Sequence, residues 1–323
     1  TFTQNEFSVV IDLEHRDYLK DGALTIIDNQ TLSVKRVSSA WAKQQHCYAR
    51  ILFSSPFKYR YNSTKTKIIL EFNVENKELL IKSGISFVDE DGAKKNLEAE
   101  LAHWDFQLCR VEAMSAWNEA LGKIEVKNGD LEKLKTFYTA LYHVMIHPNV
   151  AMDVDGNYRG LDQKIYIAEG FTYYTIFSLW DTFRATHPLF TIIERERTLD
   201  FIKTFLAMYN EGGRLPVWEL CANETDCMIG YHSVSVIADA MAKGITGFDQ
   251  ELAYEAMTAS ANWDHLGLPE YINNGFLSID DEHESVSKTL EYAYDDWCIA
   301  QTALRLDKME EYKKYMLRSN AWR

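Results

Sequence analysis

The hydrophobic periodicity of the chain changes once, near residue 90, and this change constrains the fold more than any other feature. Before it, short segments rich in β-branched and aromatic residues are separated by polar, turn-prone stretches, as in β-sandwiches. These predicted strands are residues 7–13, 48–53, 67–74 and 78–82. After it, apolar residues recur every three or four positions, the period of amphipathic helices. The sequence therefore predicts a β domain followed by an all-α domain.

The helical pattern continues from residue 96 to the end of the chain. Its apolar stripes lie at residues 97–111, 131–145, 199–208, 234–241 and 286–304. Pro148 ends the second of these helices, and loops that carry Gly, Pro, Asn and Asp separate the later ones. Helices of this length joined by long loops are typical of an α/α toroid, in which paired helices surround a central cleft.

Composition narrows the class of partner. Asp and Glu number 48 against 34 Lys and Arg, a formal charge of −14, which argues against nucleic acid or an anionic membrane surface. No run of 18 apolar residues is present, so no membrane-spanning helix is predicted. The five cysteines include no Cys-x-x-Cys pair, which argues against a zinc knuckle or redox motif. Neutral or cationic ligands remain, including sugars and metal ions.

A first candidate contact site is the segment Ser-Leu-Trp-Asp-Thr-Phe-Arg at residues 178–184. Trp180 stands beside Asp181, and Arg184 follows one helical turn later. A Trp ring can stack on the face of a sugar, while a carboxylate accepts hydrogen bonds from sugar hydroxyls. The alternative is a buried Trp180 with Asp181 as the N-cap of the next helix. Spacing alone leaves both interpretations open.

A second group of polar residues lies within fifteen positions of predicted loop, and its members are Trp218, Glu219, Glu224, Asp226 and His232. Together they would suit the polar wall of a cleft, and glycosidases use paired carboxylates, one as acid and the other as base or nucleophile. The alternative places Glu224 and Asp226 on a solvated loop. His232, just before an apolar helix, is then a structural histidine.

A third cluster spans residues 284–297, where Glu284 is placed to cap the start of a helix. Glu291 and Asp295 lie one turn apart and share a face, which is unusual for two carboxylates unless a cation, an Arg or water lies between them. The commoner explanation, which spacing alone favours, is a charged outer face that includes Asp296.

The stretch Asp-Val-Asp-Gly-Asn at residues 153–157 is superficially like a calcium loop. The sixth position from Asp153 is Tyr158 and the twelfth is Lys164, where that loop requires Gly and Glu. We therefore predict a turn rather than a metal site.

The same motifs, taken in order, resemble glycoside hydrolase family 92. The resemblance rests on Phe-Tyr-Thr-Ala-Leu-Tyr-His at 137–143 with Pro148-Asn149, Asp-Val-Asp-Gly-Asn-Tyr-Arg-Gly at 153–160, Ser-Leu-Trp-Asp-Thr-Phe-Arg at 178–184 with His187-Pro188, Leu-Pro-Val-Trp at 215–218, Met-Ile-Gly-Tyr-His at 228–232, and Glu-Ser-Val-Ser at 284–287 through Asp296-Trp297. Several long motifs in the correct order are far more specific than a lone triplet. The match covers nearly the whole chain.

The resemblance implies an N-terminal β-sandwich joined through helices to an (α/α)6 barrel, which agrees with the periodicity. Residues 1–92 would then be part of the sandwich, residues 93–128 linker helices, and residues 129–323 the first part of the barrel. The fold class expected is thus a β plus α multidomain chain with a partial sandwich and the first half of the toroid.

The resemblance also implies a calcium-dependent, exo-acting α-mannosidase that inverts configuration and acts on N-glycans or mannans. In such an enzyme Ca²⁺ binds two hydroxyls of the terminal mannose, a glutamic acid protonates the leaving oxygen, and an aspartate activates water. An inverting pair stands about 6.5–9.5 Å apart to admit that water. The implied partner is a mannose-containing glycan, and the implied location is the periplasm, the cell surface or the secreted fraction of a bacterium.

The chain departs from the family in length, because members are about twice as long. The motifs for the general acid, the general base and most calcium contacts are expected beyond Arg323, and the start of the sandwich before Thr1. Residue by residue, the resemblance carries over Trp180 and Asp181 as contacts of the terminal mannose. Glu219 and His232 are weaker substrate-binding candidates in the cleft wall. No catalytic or metal-binding residue is assigned within this chain.

Two functions of different classes follow. In the first, the chain represents part of an exo-α-mannosidase. In the second, it is a non-catalytic mannose-binding or scaffold fragment, which stands alone or pairs with the rest of the barrel or another chain. Because apolar helix faces must be buried, a partial toroid is expected to associate. Calcium-dependent release of mannose discriminates between the two functions.

Overall fold

The computed structural model describes residues 4–127 and 129–320, so both chain ends named above, Thr1 and Arg323, lie outside the described residues. The chain divides into two compact units. The sandwich unit comprises the chain up to Lys127 together with Ala151–Arg159 and Ile165–Glu169, and the helical unit comprises the remainder. The domain boundaries after residues 92 and 128 stay predictions. Among the described residues, no helix combines the length and the apolar character needed to cross a membrane.

The sandwich unit is built on two antiparallel sheets. Their strands are β1 (Glu6–Asp12), β2 (Tyr18–Ile26), β3 (Thr31–Ser39), β4 (Gln45–Phe53), β5 (Phe57–Tyr61), β6 (Lys67–Asn73) and β7 (Ile81–Ser86). One sheet has the order β1-β6-β5 and the other the order β2-β3-β4-β7. Side chains from both sheets form one hydrophobic cluster that includes Leu24, Leu32, Phe53, Ile68 and Phe72, the arrangement expected of a β-sandwich.

The four strands predicted from sequence overlap β1, β4, β6 and, at residues 81–82 only, β7, whereas β2, β3 and β5 are not among them. Hydrophobic periodicity does not predict strand β3, because two polar residues, Ser33 and Ser38, occupy buried positions on it. Ser33 is satisfied there by donating a hydrogen bond to Glu90 Oε2, at 2.9 Å. A long-range bond of this kind leaves no trace in local periodicity.

Two helices follow the strands within the sandwich unit, α1 (Glu90–Glu100) and α2 (Phe106–Leu121). The continuous helical stripe predicted over residues 97–111 is therefore wrong at its centre. Leu101 has the non-helical angles φ −141° and ψ 64°, and Asp105 starts α2 by accepting a hydrogen bond from the Leu108 N–H at 2.9 Å. An Asp N-cap at this point defines a new helix start.

The turn predicted at residues 153–157 is confirmed. The Asp153 N–H donates to the Asn157 carbonyl at 2.8 Å. The Asp153 carboxylate is buried and accepts hydrogen bonds from Ser86 Oγ at 2.9 Å and from Asn96 Nδ2 at 2.7 Å. Burial raises the pKa of Asp153 above its usual range. This carboxylate therefore ties the turn to its own unit. Two short strands, β9 and β10 (Asn157–Arg159 and Ile165–Ile167), follow the turn, after β8 (Asn149–Val150) of the helical unit.

The helical unit contains three further short strands, β11 (Tyr174–Thr175), β12 (Phe177–Ser178) and β13 (Trp218–Glu219). Its helices are α3 (Leu131–Val144), α4 (Leu179–Thr182), α5 (Thr186–Ile193), α6 (Arg195–Gly212), α7 (Ser233–Ala242), α8 (Gln250–Ala261), α9 (Leu268–Asn274), α10 (Ser285–Arg305) and α11 (Met309–Arg318). The predicted stripes coincide with α3, α6, α7 and α10, whereas α4, α5, α8, α9 and α11 were not predicted. The expected fold class, antiparallel sheets followed by a helical region, is confirmed.

An aromatic core in the helical unit fixes the start of the segment that carries Trp180 and Asp181. Phe177 packs edge-to-face on Phe201 and Phe205 of α6, with ring centroids 5.6 and 4.8 Å apart. Strand β12 then pairs with β13, so that Phe177 lies opposite Glu219 and Ser178 lies opposite Trp218. Two loops that are forty residues apart in sequence are thereby joined.

Candidate functional site

The three sequence clusters meet in the helical unit. Strands β12 and β13 join the first cluster to the second. The ring of His232 stacks on Phe183 with centroids 3.8 Å apart, and Arg184 Nη2 lies 2.7 Å from Glu291 Oε1 of α10. The segments that carry Trp180, Asp181, Glu219 and His232 therefore form one packed group.

Trp180 and Asp181 lie on the single-turn helix α4. The Asp181 side chain is exposed and accepts a hydrogen bond from Ser178 Oγ. Trp180 is half-buried, and its indole N–H is buried without a hydrogen-bond partner. The N-cap of the next helix is Ala185, so the alternative role of Asp181 as that N-cap is wrong. An anchored, exposed carboxylate beside a large aromatic ring is available to a ligand.

Glu219 has no exposed surface. Its Oε1 accepts a hydrogen bond from the Ala222 N–H at 2.6 Å and its Oε2 one from the Ile176 N–H at 3.0 Å, while Thr175 Oγ1 lies 3.0 and 2.9 Å from the two oxygens. Burial raises the pKa of Glu219 to about 8. A group enclosed in this way touches protein atoms rather than a ligand.

Glu224 and Asp226 do not lie on a solvated loop, which corrects that interpretation of the second cluster. Glu224 is half-buried and accepts hydrogen bonds from three backbone N–H groups, those of Val217, Trp218 and Asp226, at 2.8–2.9 Å. Asp226 forms an ion pair with Arg214. Both carboxylates are committed to shaping the loop, so neither is a free acid or base.

His232 is almost fully buried between two carboxylates. Its Nδ1 lies 2.9 Å from Asp295 Oδ1, and its Nε2 lies 3.3 Å from Glu291 Oε2 without the alignment of a hydrogen bond. Asp295 also accepts a hydrogen bond from the Tyr231 N–H at 2.8 Å. The histidine thus joins the start of α7 to α10 and fits the structural alternative.

The charged outer face predicted for the third cluster is wrong, because Asp295 and Asp296 are fully buried. Asp296 accepts hydrogen bonds from Tyr231 Oη at 2.9 Å, Tyr271 Oη at 3.0 Å and Arg318 Nε at 2.9 Å. The shared face of Glu291 and Asp295 does hold a basic group between the carboxylates, His232. Arg318 and Tyr271 were missed, since only the fold brings them to Asp296.

The residues present do not by themselves fit a calcium ion. Ca²⁺ takes six to eight oxygen ligands. Within residues 4–127 and 129–320, no group of three or more His, Cys, Asp and Glu side chains is arranged to hold a metal. The buried carboxylates of the site accept hydrogen bonds from protein groups instead.

Comparison with known proteins gives one family. The family model for the glycosyl hydrolase family 92 catalytic domain matches residues 92–323. An uncharacterized secreted glycosidase of Arthroderma benhamiae is 29% identical over 260 residues, which are 74% of this chain and 29% of that protein.

Solved structures give the same result. A family GH92 α-mannosidase from Bacteroides thetaiotaomicron superposes with a TM-score of 0.92 at 38% identity, covering 98% of this chain and 46% of that one. A complex of that α-mannosidase with mannoimidazole has also been solved. A family GH92 inverting mannosidase from the same species has a TM-score of 0.88 at 30% identity, again covering 98% and 46%. The chain therefore spans less than half the length of these relatives.

Proposed function

The chain belongs to glycosyl hydrolase family 92, and from this membership we propose that it is part of an inverting exo-α-mannosidase. The proposed reaction is hydrolysis of terminal α-linked mannose from N-glycans or mannans. Two of the solved relatives are described as mannosidases of this family, one of them inverting. A match at 38% identity over 98% of the chain supports transfer of the same reaction class.

The observation that supports the proposal most is that Trp180 and Asp181 lie next to each other on α4. The Asp181 carboxylate is exposed and oriented by Ser178, so it can accept hydrogen bonds from sugar hydroxyls. A half-buried Trp180 next to it offers an apolar surface for a sugar ring. We propose that these two residues contact the terminal mannose.

We propose that the general acid and the general base come from a part of the protein outside this chain. An inverting mechanism needs two carboxyl groups separated by about 6.5–9.5 Å, with a water between one of them and the sugar. The carboxyl groups of Glu219, Glu224, Asp295 and Asp296 are instead bonded to protein groups. We likewise propose that calcium ligands lie outside this chain.

We propose that α10 presents an interface to the rest of the barrel. Five apolar side chains at helical spacing along α10 are between 39% and 72% exposed, and these are Val286, Leu290, Tyr294, Trp297 and Leu304. A stripe of this kind must be covered to be stable, and relatives about twice as long have the chain to cover it.

Oxidative footprinting of the intact protein tests this interface. Trp297 and Trp41 are 46% and 52% exposed in the described chain. If α10 is covered by the barrel, hydroxyl radicals should oxidise Trp41 several-fold faster than Trp297. Equal oxidation of the two indoles would contradict the interface.

We propose action in the periplasm, at the cell surface or after secretion, in a bacterium. The support is a curated relative described as secreted and solved relatives from Bacteroides thetaiotaomicron.

Because the described carboxylates are already bonded to protein groups, a second function is a non-catalytic mannose-binding or scaffold fragment.

Substitution of Asp181 tests the proposed contact. A hydrogen bond to a charged group contributes about 1.5–3 kcal/mol, so Asp181→Ala should lower kcat/KM for an aryl α-mannoside about 10- to 100-fold in the intact protein. Asp280→Ala is the matched control, because Asp280 is also an exposed loop carboxylate. Equal activity of the two variants would contradict the contact, and binding of mannose without any release by the wild type would favour the second function.

A further inference from the structure

The carboxyl group of Glu219 joins two loops through hydrogen bonds to their backbones. The Ile176 N–H, just before β12, donates to Oε2, and the Ala222 N–H, just after β13, donates to Oε1. Thr175 Oγ1 lies beside both oxygens and also accepts a hydrogen bond from the Cys221 N–H at 2.8 Å. One side chain therefore holds both strands of the β12–β13 pair at the same end, where β12 begins and β13 ends.

The backbone that donates these bonds is strained. Ile176, Cys221 and Ala222 have φ values of 67°, 47° and 62°, a region that non-glycine residues rarely adopt. Such conformations persist only where surrounding contacts determine them. All three N–H groups point into the cluster formed by Glu219 and Thr175, so this cluster holds the strained backbone in place.

The conformation of Ile176 determines where the ligand-facing residues lie. Ile176 directly precedes β12, in which Ser178 pairs with Trp218. Ser178 in turn donates the hydrogen bond that orients Asp181. A change in φ at Ile176 would redirect β12, and with it Ser178, Trp180 and Asp181.

We propose that Glu219 is a positioning residue of this enzyme. It does not contact the sugar, but it locks the backbone at Ile176 and Ala222 so that Trp180 and Asp181 meet the terminal mannose in a fixed orientation. This inference rests on the proposed mannosidase function, because it assigns a purpose to the orientation of those two residues.

Burial favours the neutral acid form of Glu219, against the hydrogen bonds that it accepts from Thr175, Ile176 and Ala222, which favour the carboxylate. A hydroxyl placed 3.0 and 2.9 Å from the two oxygens can donate to one of them and accept the acid proton from the other. Burial, with a smaller contribution from the nearby charge of Glu224, raises the pKa of Glu219 to about 8. A neutral acid avoids the larger cost of burying a charge, while both of its oxygens still accept the backbone N–H groups.

Matched substitutions test the proposal in the intact protein. Glu219→Gln preserves size and neutrality, but its NH₂ group cannot accept the N–H of Ile176 or Ala222. Thr175→Val removes the hydroxyl with little change of shape, and Thr175→Ser retains it. Met257→Ala, at a fully buried position of α8 that belongs to neither loop, is the control for general loss of stability.

We expect Glu219→Gln and Thr175→Val to speed hydrogen exchange of the peptide spanning residues 174–181 about tenfold or more. A misplaced binding group costs about 10- to 100-fold, so kcat/KM for an aryl α-mannoside should fall by that factor. Thr175→Ser should retain both properties. Met257→Ala should lower the unfolding midpoint without changing exchange in this peptide.

Different results would contradict the positioning role of Glu219 and the proposed mannosidase function. Unchanged exchange at residues 174–181 in Glu219→Gln, or a loss of kcat/KM no greater than in Met257→Ala, would overturn the positioning role. Hydrogen exchange is measured without substrate, so it reports on the backbone conformation held by Glu219 even if the wild-type protein releases no mannose. That last result would overturn the mannosidase function and, with it, the purpose assigned to Glu219.

Discussion

The imidazole of His232 lies flat against the ring of Phe183, with centroids 3.8 Å apart and an interplanar angle of 12°. The same imidazole is held by Asp295, and Arg184 next to Phe183 pairs with Glu291. The segment that carries Asp181 is thus fixed at its far end by α7 and α10. Glu219 fixes its near end through Ile176.

Removal of the His232 ring should destabilise the protein strongly. His232→Ala leaves a cavity against Phe183 and takes the partner from the buried Asp295, and breaking a buried pair of this kind costs about 3–5 kcal/mol. Urea unfolding of the intact protein measures the loss. His283→Ala, at an exposed position, is the control. A difference between the two variants below about 1 kcal/mol would contradict the role assigned to His232.

Asp296 and Arg318 should behave as a coupled pair. Arg318→Met removes the donor to Asp296 and the 3.0 Å hydrogen bond to the Ala261 carbonyl, leaving a buried carboxylate without its cation. We expect a cost of about 3–5 kcal/mol. The double variant Asp296→Asn/Arg318→Met should lose about 1–3 kcal/mol less stability than the sum of the losses in the two single variants. Additive losses would show that the ion pair does not matter.

The protonation of Glu219 should make stability depend on pH. Its pKa in the folded protein, about 8, lies above the ordinary value of 4.5. Between these values the folded protein retains a proton that the unfolded chain has released, so this contribution to stability is fully present below about pH 4.5 and is lost as the pH rises through about 8. The difference in unfolding free energy between wild type and Glu219→Gln should therefore shrink from pH 5 to pH 8. A constant difference would contradict the raised pKa.

Calcium should stabilise the intact protein and support its activity. A ligand that binds only the folded state at 100 times its Kd adds about 2.7 kcal/mol. After EDTA treatment we expect a lower Tm and little mannose release, with both restored by Ca²⁺. Mg²⁺ is the control, because it demands a smaller octahedral site. Full activity in EDTA would contradict the calcium requirement carried over from the family.

Local periodicity predicted part of the secondary structure but not the arrangement of the site. Helices α6, α7 and α10 follow from their apolar stripes, and β6 from its run of β-branched and aromatic residues. The sequence placed Trp180 and Asp181 together because they are neighbours. It could not show that Glu219 is buried, because its partners Thr175 and Ile176 lie more than forty positions away. Long-range hydrogen bonds between polar residues do not alter the local pattern.

The same limit explains why the burial of the third cluster, residues 284–297, was not predicted. Spacing put Glu291 and Asp295 on one face, which would require a cation, an Arg or water between them if the face is buried, but it favoured a charged outer face. It could not show that His232, which immediately precedes α7 and is 63 positions from Asp295, lies between the two carboxylates. Nor could it distinguish a solvated carboxylate from Asp296, whose burial depends on Arg318 and two tyrosines.

Proton NMR of a high-mannose glycan incubated with the intact protein tests whether the protein hydrolyses terminal α-linked mannose with inversion. We expect free mannose as the product, appearing first as the β anomer because water attacks the α-linked sugar from the opposite face. First appearance of the α anomer would contradict inversion. If the intact, folded protein releases no mannose, the assignment of this chain to an active mannosidase is wrong.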